Sequence, residues 1–189
     1  GDGRVMRLTK ELHVSDLVGS TVCEPLEKAL KKLGAPDKTV VCGPPVRPAV
    51  LAQDAAEARR AMGIPADKTV LLSFGGSLGA QRVNEVVADL CAWHTKNADV
   101  YHIHATGQYG VELFRDLSRE KGFEGHPNMD VREYIDDMPR CMAAADLVIC
   151  RAGASTISEL TALGVPALMV PSPYVTNNHQ EKNARALEE

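Results

Sequence analysis

The sequence has no excess of positive charge. Its 21 Lys and Arg residues stand against 25 Asp and Glu, for a formal net charge of -4. Sequence-independent nucleic-acid binding needs a basic face, so no nucleic acid is expected as a partner, although one small phosphate site stays open. No apolar run approaches the roughly 18 residues of a spanning helix. Gly1 to Lys10 is polar and does not read as a secretory leader. There is no C-x-x-C, and the five cysteines (Cys23, Cys42, Cys91, Cys141 and Cys150) are odd in number. Cys42 and Cys150 sit in apolar, strand-like runs, so the set reads as reduced core thiols of a cytoplasmic protein. Internal repeats and low-complexity stretches are also lacking. What remains is an ordinary globular balance, 44% hydrophobic and 24% charged over 189 residues, enough for one domain with a short appendage.

Short apolar runs alternate with helical patterns. Strands are expected at Thr39–Cys42, Thr69–Phe74, Val100–His104, Met129–Ile135, Leu147–Cys150 and Pro166–Val170. Helices are expected at Asp54–Met62, Arg82–Trp93, Val111–Glu120, Met138–Ala145, Thr156–Leu163 and from Asn178 to Glu189. This alternation predicts an α/β fold, a Rossmann-like parallel sheet with helices on both faces. Ligands of such sheets bind beyond the carboxyl ends of the strands, so the loops there carry the information. Residues 1–38 fit the alternation less well and read as a remnant or linker, with residues 39–189 as the domain. Within them Glu24 to Leu33 reads as a helix with a solvated lysine face.

Three loops could hold a nucleotide diphosphate. The first is Gly75-Gly76-Ser77-Leu78-Gly79-Ala80, between a strand and a helix. Its glycines would let backbone N–H groups approach an anion at the positive end of the helix. The spacing is not G-x-G-x-x-G, no acid ends the next strand, and no P-loop Lys follows. A dinucleotide cofactor and an NTPase are both disfavoured, and a ligand-free tight turn is the plain rival. The second is Cys150-Arg-Ala-Gly153-Ala154-Ser155-Thr156-Ile-Ser-Glu159. Hydroxyls beside a helix N-terminus suit a diphosphate, and Glu159, in the first turn, could accept from ribose hydroxyls. Thr156-x-x-Glu159 equally matches a capping box, and spacing leaves the two readings level. The third, Pro171 to Asn183, holds Asn177, Asn178, His179, Gln180 and Asn183. Such amides suit sugar hydroxyls, or merely form a polar loop with an N-cap at Asn177 or Asn178.

Together these segments resemble the MurG family, bacterial UDP-N-acetylglucosamine:lipid-linked muramyl-pentapeptide N-acetylglucosamine transferases. The matching stretches are Val46-Arg47, Phe74 to Gln81, Glu133-Tyr-Ile-Asp-Asp-Met138, Ala145 to Ala154, Thr156 to Glu159, Gly164 to Pro171 and His179 to Ala184. The resemblance implies the donor-binding half of a GT-B type, inverting glycosyltransferase of peptidoglycan synthesis. It implies that Ile135 meets uracil through its backbone and that Glu159 holds the ribose. Ser77, Ala154 and Thr156 would lie at the phosphates with Arg47 near them, and His179 and Gln180 at the sugar. Gly75, Gly76, Gly79, Gly153 and Ser155 would form the phosphate loops. No cofactor and no metal are implied. The partners would be UDP-N-acetylglucosamine and, through an N-terminal domain, a lipid-linked acceptor, with the parent enzyme peripheral on the cytoplasmic face of the bacterial membrane. The alternatives are a diacylglycerol glycosyltransferase, a UDP-sugar epimerase, or a non-catalytic nucleotide-sugar-binding subunit.

Departures from the family pattern are Pro44 where an Asn is usual and His179-Gln180 where an amide pair is common. Nothing resembles the glycine- and histidine-rich acceptor loop, and the chain reads as ending before the last elements of the donor domain. No residue is therefore named as the catalytic base. Of the remaining residues, His102 and His104 share one strand face. With no Cys, Asp or Glu at useful ligand spacing, they are expected to be packing residues. Asp136-Asp137 is expected to cap the helix at Met138, and Trp93 to close an apolar helix face in the core.

Overall fold

The computed structural model describes residues 45–187. The segment 1–38 and the strand expected at Thr39–Cys42 lie outside the described residues, as do Cys23 and Cys42. The chain forms two compact units. The larger comprises Arg47–Arg151 and Leu160–Val170. The smaller contains Ala152–Glu159 together with 45–46 and 171–187 of its outer segments.

The larger unit is a five-stranded sheet in the order β3-β2-β1-β4-β5, all pairs parallel. The strands are β1 (Thr69–Phe74), β2 (Val100–Ala105), β3 (Met129–Arg132), β4 (Leu147–Cys150) and β5 (Ala167–Met169). Before them come α1 (Pro48–Leu51) and α2 (Ala55–Ala61); between them run α3 (Gln81–Asn97), α4 (Val111–Lys121), α5 (Met138–Ala144) and α6 (Ala154–Leu163). The expected α/β alternation is therefore present, with β1 and β4 at the expected bounds. Two boundaries moved in ways that bear on function. The strand expected over Met129–Ile135 ends at Arg132, and α6 begins two residues before Thr156. Among the described residues no helix is long and apolar enough to cross a membrane.

Alternation along β1 shows why both faces are covered. Val70, Leu72 and Phe74 join Ile103, Val148, Cys150, Met142 and Leu160 in one core cluster. The second cluster unites Val83, Val87, Ala88 and Cys91 of α3 with Phe114 and Phe123. Each large apolar side chain removed from water this way contributes roughly 1.5–3 kcal/mol before its entropy cost. The buried stripe of α3 runs through Val83, Asn84, Val87, Ala88, Cys91 and His94. Trp93 and Val86 lie off it and are 58% and 50% exposed. The expectation of Trp93 as a core residue is thus overturned: the stripe repeats at i, i+4, i+8 and i+11 from Val83, and Trp93 projects from another side of the helix.

Beneath α3 the second cluster is polar at its centre. Ser73 Oγ lies 2.7 Å from His102 Nε2 and 2.7 Å from His104 Nδ1. Both imidazoles face the same way, as the period of a strand requires, and both are fully buried. Burial holds them neutral, His102 well below the usual imidazole range and His104 pushed down to about 4. His104 also packs on Phe114, ring centroids 4.4 Å apart. The three described cysteines are buried free thiols, in keeping with their expected core role.

Candidate nucleotide-sugar site

Register places the ends of β1, β2 and β4 at one level: Phe74 pairs with both Ala105 and Cys150. The chain leaves the sheet from there, where open parallel sheets bind their ligands.

In the larger unit, the glycine loop after β1 is locked to the loop after β2. Gln108 and Tyr109 donate their backbone N–H groups to the carbonyls of Ser77 and Leu78, at 3.1 and 3.1 Å. Gly79 N–H closes the turn on the Gly76 carbonyl at 3.0 Å. Asn84, fully buried on α3, donates to the Thr106 carbonyl at 2.9 Å and fixes the second loop from below. The glycines divide by role. A Cβ on Gly79 would lie 2.3 Å from the Thr106 carbonyl oxygen, and one on Gly75 would lie 2.7 Å from the Ala80 Cβ. Those two are glycine because the loop packs tightly. At Gly76, φ +101, an added Cβ meets nothing within 4 Å among the described residues. Ser77 is exposed. Helix α3 then starts at Ala80 with no side-chain cap and no acid in its first turn, so its partial positive charge is not countered locally.

Ile135 lies beyond β3 in the turn that precedes α5, with its side chain in the first core cluster. That leaves only its backbone for any ligand. Arg132 shapes this turn. It grips Asp130 at 2.6 and 3.0 Å and Asp137 at 3.0 Å, and the Asp130 hydrogen bond raises its pKa. Asp137 does stand at the N-cap of α5, but it makes no side-chain cap bond. Arg132 takes the carboxylate, so the expected cap is only positional. Arg47 occupies the N-cap of α1 and is exposed, its carbonyl accepting Val50 N–H at 2.9 Å.

In the smaller unit, the turn after β4 enters α6 directly. Helix α6 starts at Ala154, so Thr156 is inside it rather than at its N-cap, and Glu159 lies in its second turn rather than its first. The capping-box reading needs Thr at the cap and Glu at the third helical position, and this geometry removes it. Glu159 is buried, at 6% exposure. The hydroxyl of Ser158 bonds back to the Ala154 carbonyl at 3.0 Å. Thr156 stands over Gly153, where among the described residues an added Cβ would meet only its Oγ1, at 3.8 Å.

The third loop continues through a 3-10 turn (Thr176–Asn178) into α7 (His179–Arg185). Asn177 and Asn178 both take left-handed backbone, at φ 56 and 53. Asn178 holds the N-cap position without a cap bond and donates to Glu181 instead. Gln180 Oε1 accepts the Ser172 N–H at 2.8 Å, which pins its amide and turns the NH2 end to donate. His179 Nδ1 lies 3.0 Å from the Thr176 carbonyl and donates to it. Asn183 is buried, and its amide donates to the Ala152 carbonyl at 3.0 Å. Its work is to hold the turn before Gly153, a role that composition did not reveal.

Parallel topology, a helix on each side of the sheet and glycine-rich turns at the carboxyl ends define a Rossmann-like half of the GT-B type. The chain belongs to glycosyltransferase family 28: residues 70–189 match the family's C-terminal domain. A UDP-N-acetylglucosamine--N-acetylmuramyl-(pentapeptide) pyrophosphoryl-undecaprenol N-acetylglucosamine transferase of Acetivibrio thermocellus is 48% identical over 151 residues, 80% of this chain and 40% of that one. The Listeria monocytogenes protein of the same name is 45% identical over 155 residues, 82% of this chain and 42% of its own. The crystal structure of Acinetobacter baumannii MurG superposes with a TM-score of 0.57 at 31% identity, covering 81% of this chain and 42% of that one. WaaG, a glycosyltransferase of lipopolysaccharide biosynthesis, shares the fold at TM-score 0.53 and 17% identity, over 82% of this chain and 48% of its own. The chain thus spans about two fifths of the length of the curated relatives it matches.

Proposed function

We propose that the chain binds UDP-N-acetylglucosamine as the donor half of an inverting N-acetylglucosaminyltransferase. The whole protein would act on a lipid-linked muramyl-pentapeptide in peptidoglycan synthesis, and so serve wall growth, cell shape and division from the cytoplasmic face of the membrane. The observation that carries this reading is the turn from Gly153 to Glu159. Its helix starts early enough to deny Glu159 a capping role, inside a chain whose family and relatives are sugar transferases.

In this reading each group takes one part of the donor. The Ile135 backbone meets uracil, and Glu159 accepts from the ribose hydroxyls. Ser77, Ala154, Ser155 and Thr156 offer N–H and O–H groups to the diphosphate, with Gly75, Gly76, Gly79 and Gly153 keeping the backbone close and Arg47 adding charge. Gln180 donates to sugar hydroxyls, and His179 stands beside it at the sugar. The acceptor hydroxyl attacks the anomeric carbon as its bond to the diphosphate oxygen breaks, and the hydroxyl proton passes to a base. Negative charge grows on the departing UDP, so donors already aimed there lower the barrier. The base must reach the acceptor, and it belongs to the acceptor-binding part of the parent enzyme. No cofactor is required.

Calorimetric titration tests the binding claim. UDP should bind the folded chain, and no heat at millimolar UDP would refute it. Glu159→Ala should weaken UDP by about 10- to 100-fold, the worth of hydrogen bonds to a charged acceptor. The same change should leave 2′,3′-dideoxy-UDP unaffected. Equal losses for both ligands would remove Glu159 from the ribose.

A further inference from the structure

Helix α3 and strand β2 gather three donor atoms that spacing along the chain does not connect. Cys91 and His94 are three residues apart on α3, hence on one face, and both turn towards His102. Cys91 Sγ lies 3.4 Å and His94 Nε2 2.9 Å from His102 Nδ1. All three donor atoms fall within 4.8 Å of one another. The residues are 0%, 2% and 0% exposed. As hydrogen bonding alone the cluster is badly matched. With the His102 proton on Nε2, an S–H and an N–H compete for one lone pair on Nδ1; in either tautomer His94 Nδ1 is buried with no hydrogen-bond partner among the described residues.

We propose that Cys91, His94 and His102 form a site for a thiophilic closed-shell metal ion, either zinc(II) completed by one water or copper(I) held by the three donors alone. One thiolate and two neutral imidazoles are the donor set such ions take. Around tetrahedral zinc the nitrogens would stand about 3.3 Å apart and sulfur about 3.6 Å from nitrogen. The two pairs that share His102 Nδ1, at 2.9 and 3.4 Å, reach that spacing by opening a few tenths of an ångström. Support from behind is already built. Ser73 Oγ, 2.7 Å from both His102 Nε2 and His104 Nδ1, can accept from the first and donate to the second, the tautomer that leaves the His102 Nδ1 lone pair on the ion side. Binding breaks the Cys91 S–H bond, forms the sulfur–metal bond and releases the proton to solvent. The ion would clamp α3, the helix that the glycine loop opens, to β2.

The test is elemental analysis of the folded chain, purified without chelator. Chelator-treated chain is then reloaded with zinc(II), with copper(I) as its acetonitrile complex, or with cobalt(II) as a spectroscopic probe. Expected are about one zinc or copper ion per chain, and a thiolate-to-cobalt absorption band in the near ultraviolet. Both should fall at least roughly tenfold in Cys91→Ser. Zinc uptake selects the four-coordinate form and copper uptake the three-coordinate one. A folded wild-type chain that takes up neither ion overturns the proposal, as does a Cys91→Ser variant that keeps its ion. The wild-type arm decides the matter even where the variant fails to fold.

Discussion

Gly107→Ala is the sharpest test of the locked double loop. Gly107 sits at φ +72, and a Cβ there would lie 2.1 Å from Gly79 N and 2.2 Å from Gly79 Cα. Both atoms are backbone, so no rotamer change relieves the overlap. Ordinary contact starts near 3.4 Å, and the loops would have to part by about 1.3 Å. Left-handed backbone costs alanine about 1 kcal/mol. Parting the loops also strains Gln108 N–H to Ser77 and Tyr109 N–H to Leu78, at roughly 1 kcal/mol each. The total is about 3 kcal/mol. Gly122 supplies the control: its φ is +76, yet a Cβ there meets nothing within 4 Å among the described residues. Gly122→Ala should therefore cost only the conformational part, about 1 kcal/mol. Thermal melts of the two variants should separate by several degrees, since a domain of this size loses about 2–4 °C per kcal/mol. Equal melting shifts would show that the loops are not packed backbone to backbone. Where Gly107→Ala still folds, it should also weaken UDP, because Ser77 rides on the displaced loop.

Two further substitutions examine the rest of the larger unit. Asn84→Ala removes the buried amide that holds the Thr106 carbonyl and should lower stability by about 1–2 kcal/mol in urea titration; a loss below about 0.5 kcal/mol would mean the contact is idle. Trp93→Gln, at an exposed position, should stay within about 0.5 kcal/mol of wild type, whereas Phe114→Ala, 1% exposed, should cost about 3–5 kcal/mol. A Trp93 loss as large as that of Phe114 would return Trp93 to the core.

What hydropathy could see, the sequence displayed. Thr69–Phe74 and Leu147–Cys150 are short apolar runs closed by turn residues, and both are strands over those bounds. It could not see which polar residues are buried. Asn84 and His94 count as polar in any periodicity, yet both face the sheet because a carbonyl and a histidine cluster receive them. Once they are included, the buried stripe of α3 turns away from Trp93. Cys91 and His94 were invisible as partners of His102 for a related reason: a C-x-x-H pair on a helix meets a strand histidine only after the helix docks. The early start of α6 is not legible in the sequence because Ala154 and Ser155 are small and carry little apolar signal, and that shift of two residues decides between a cap and another role for Glu159. Asn183 looked like one more amide for sugar until the structure set it under Ala152.

The glycines of the loops after β1, β2 and β4, alike in sequence, differ in what surrounds them, and the difference can be measured. At Gly75, Gly79 and Gly107 the room for a side chain is already filled by other backbone or by Ala80. Changing any of them disturbs folding and binding at once and cannot isolate either. Gly76 has open space but a positive φ that alanine resists. Among the described residues Gly153 alone of the proposed phosphate-loop glycines combines unstrained backbone with space, since of their atoms only the Thr156 hydroxyl is near, at 3.8 Å. Gly153→Ala should therefore fold almost as wild type. The entropy it removes from the unfolded chain offsets the poorer helix start, and the net change stays within about 1 kcal/mol. If the bare backbone of Gly153 is where a diphosphate comes close, the added methyl occupies that position, and UDP affinity should fall by about tenfold or more, some 1.4 kcal/mol. Measured side by side, unchanged melting with lost UDP binding marks Gly153 as a contact for the ligand. Unchanged melting with unchanged binding would move the diphosphate away from this turn and leave the Gly75–Ala80 loop to hold it.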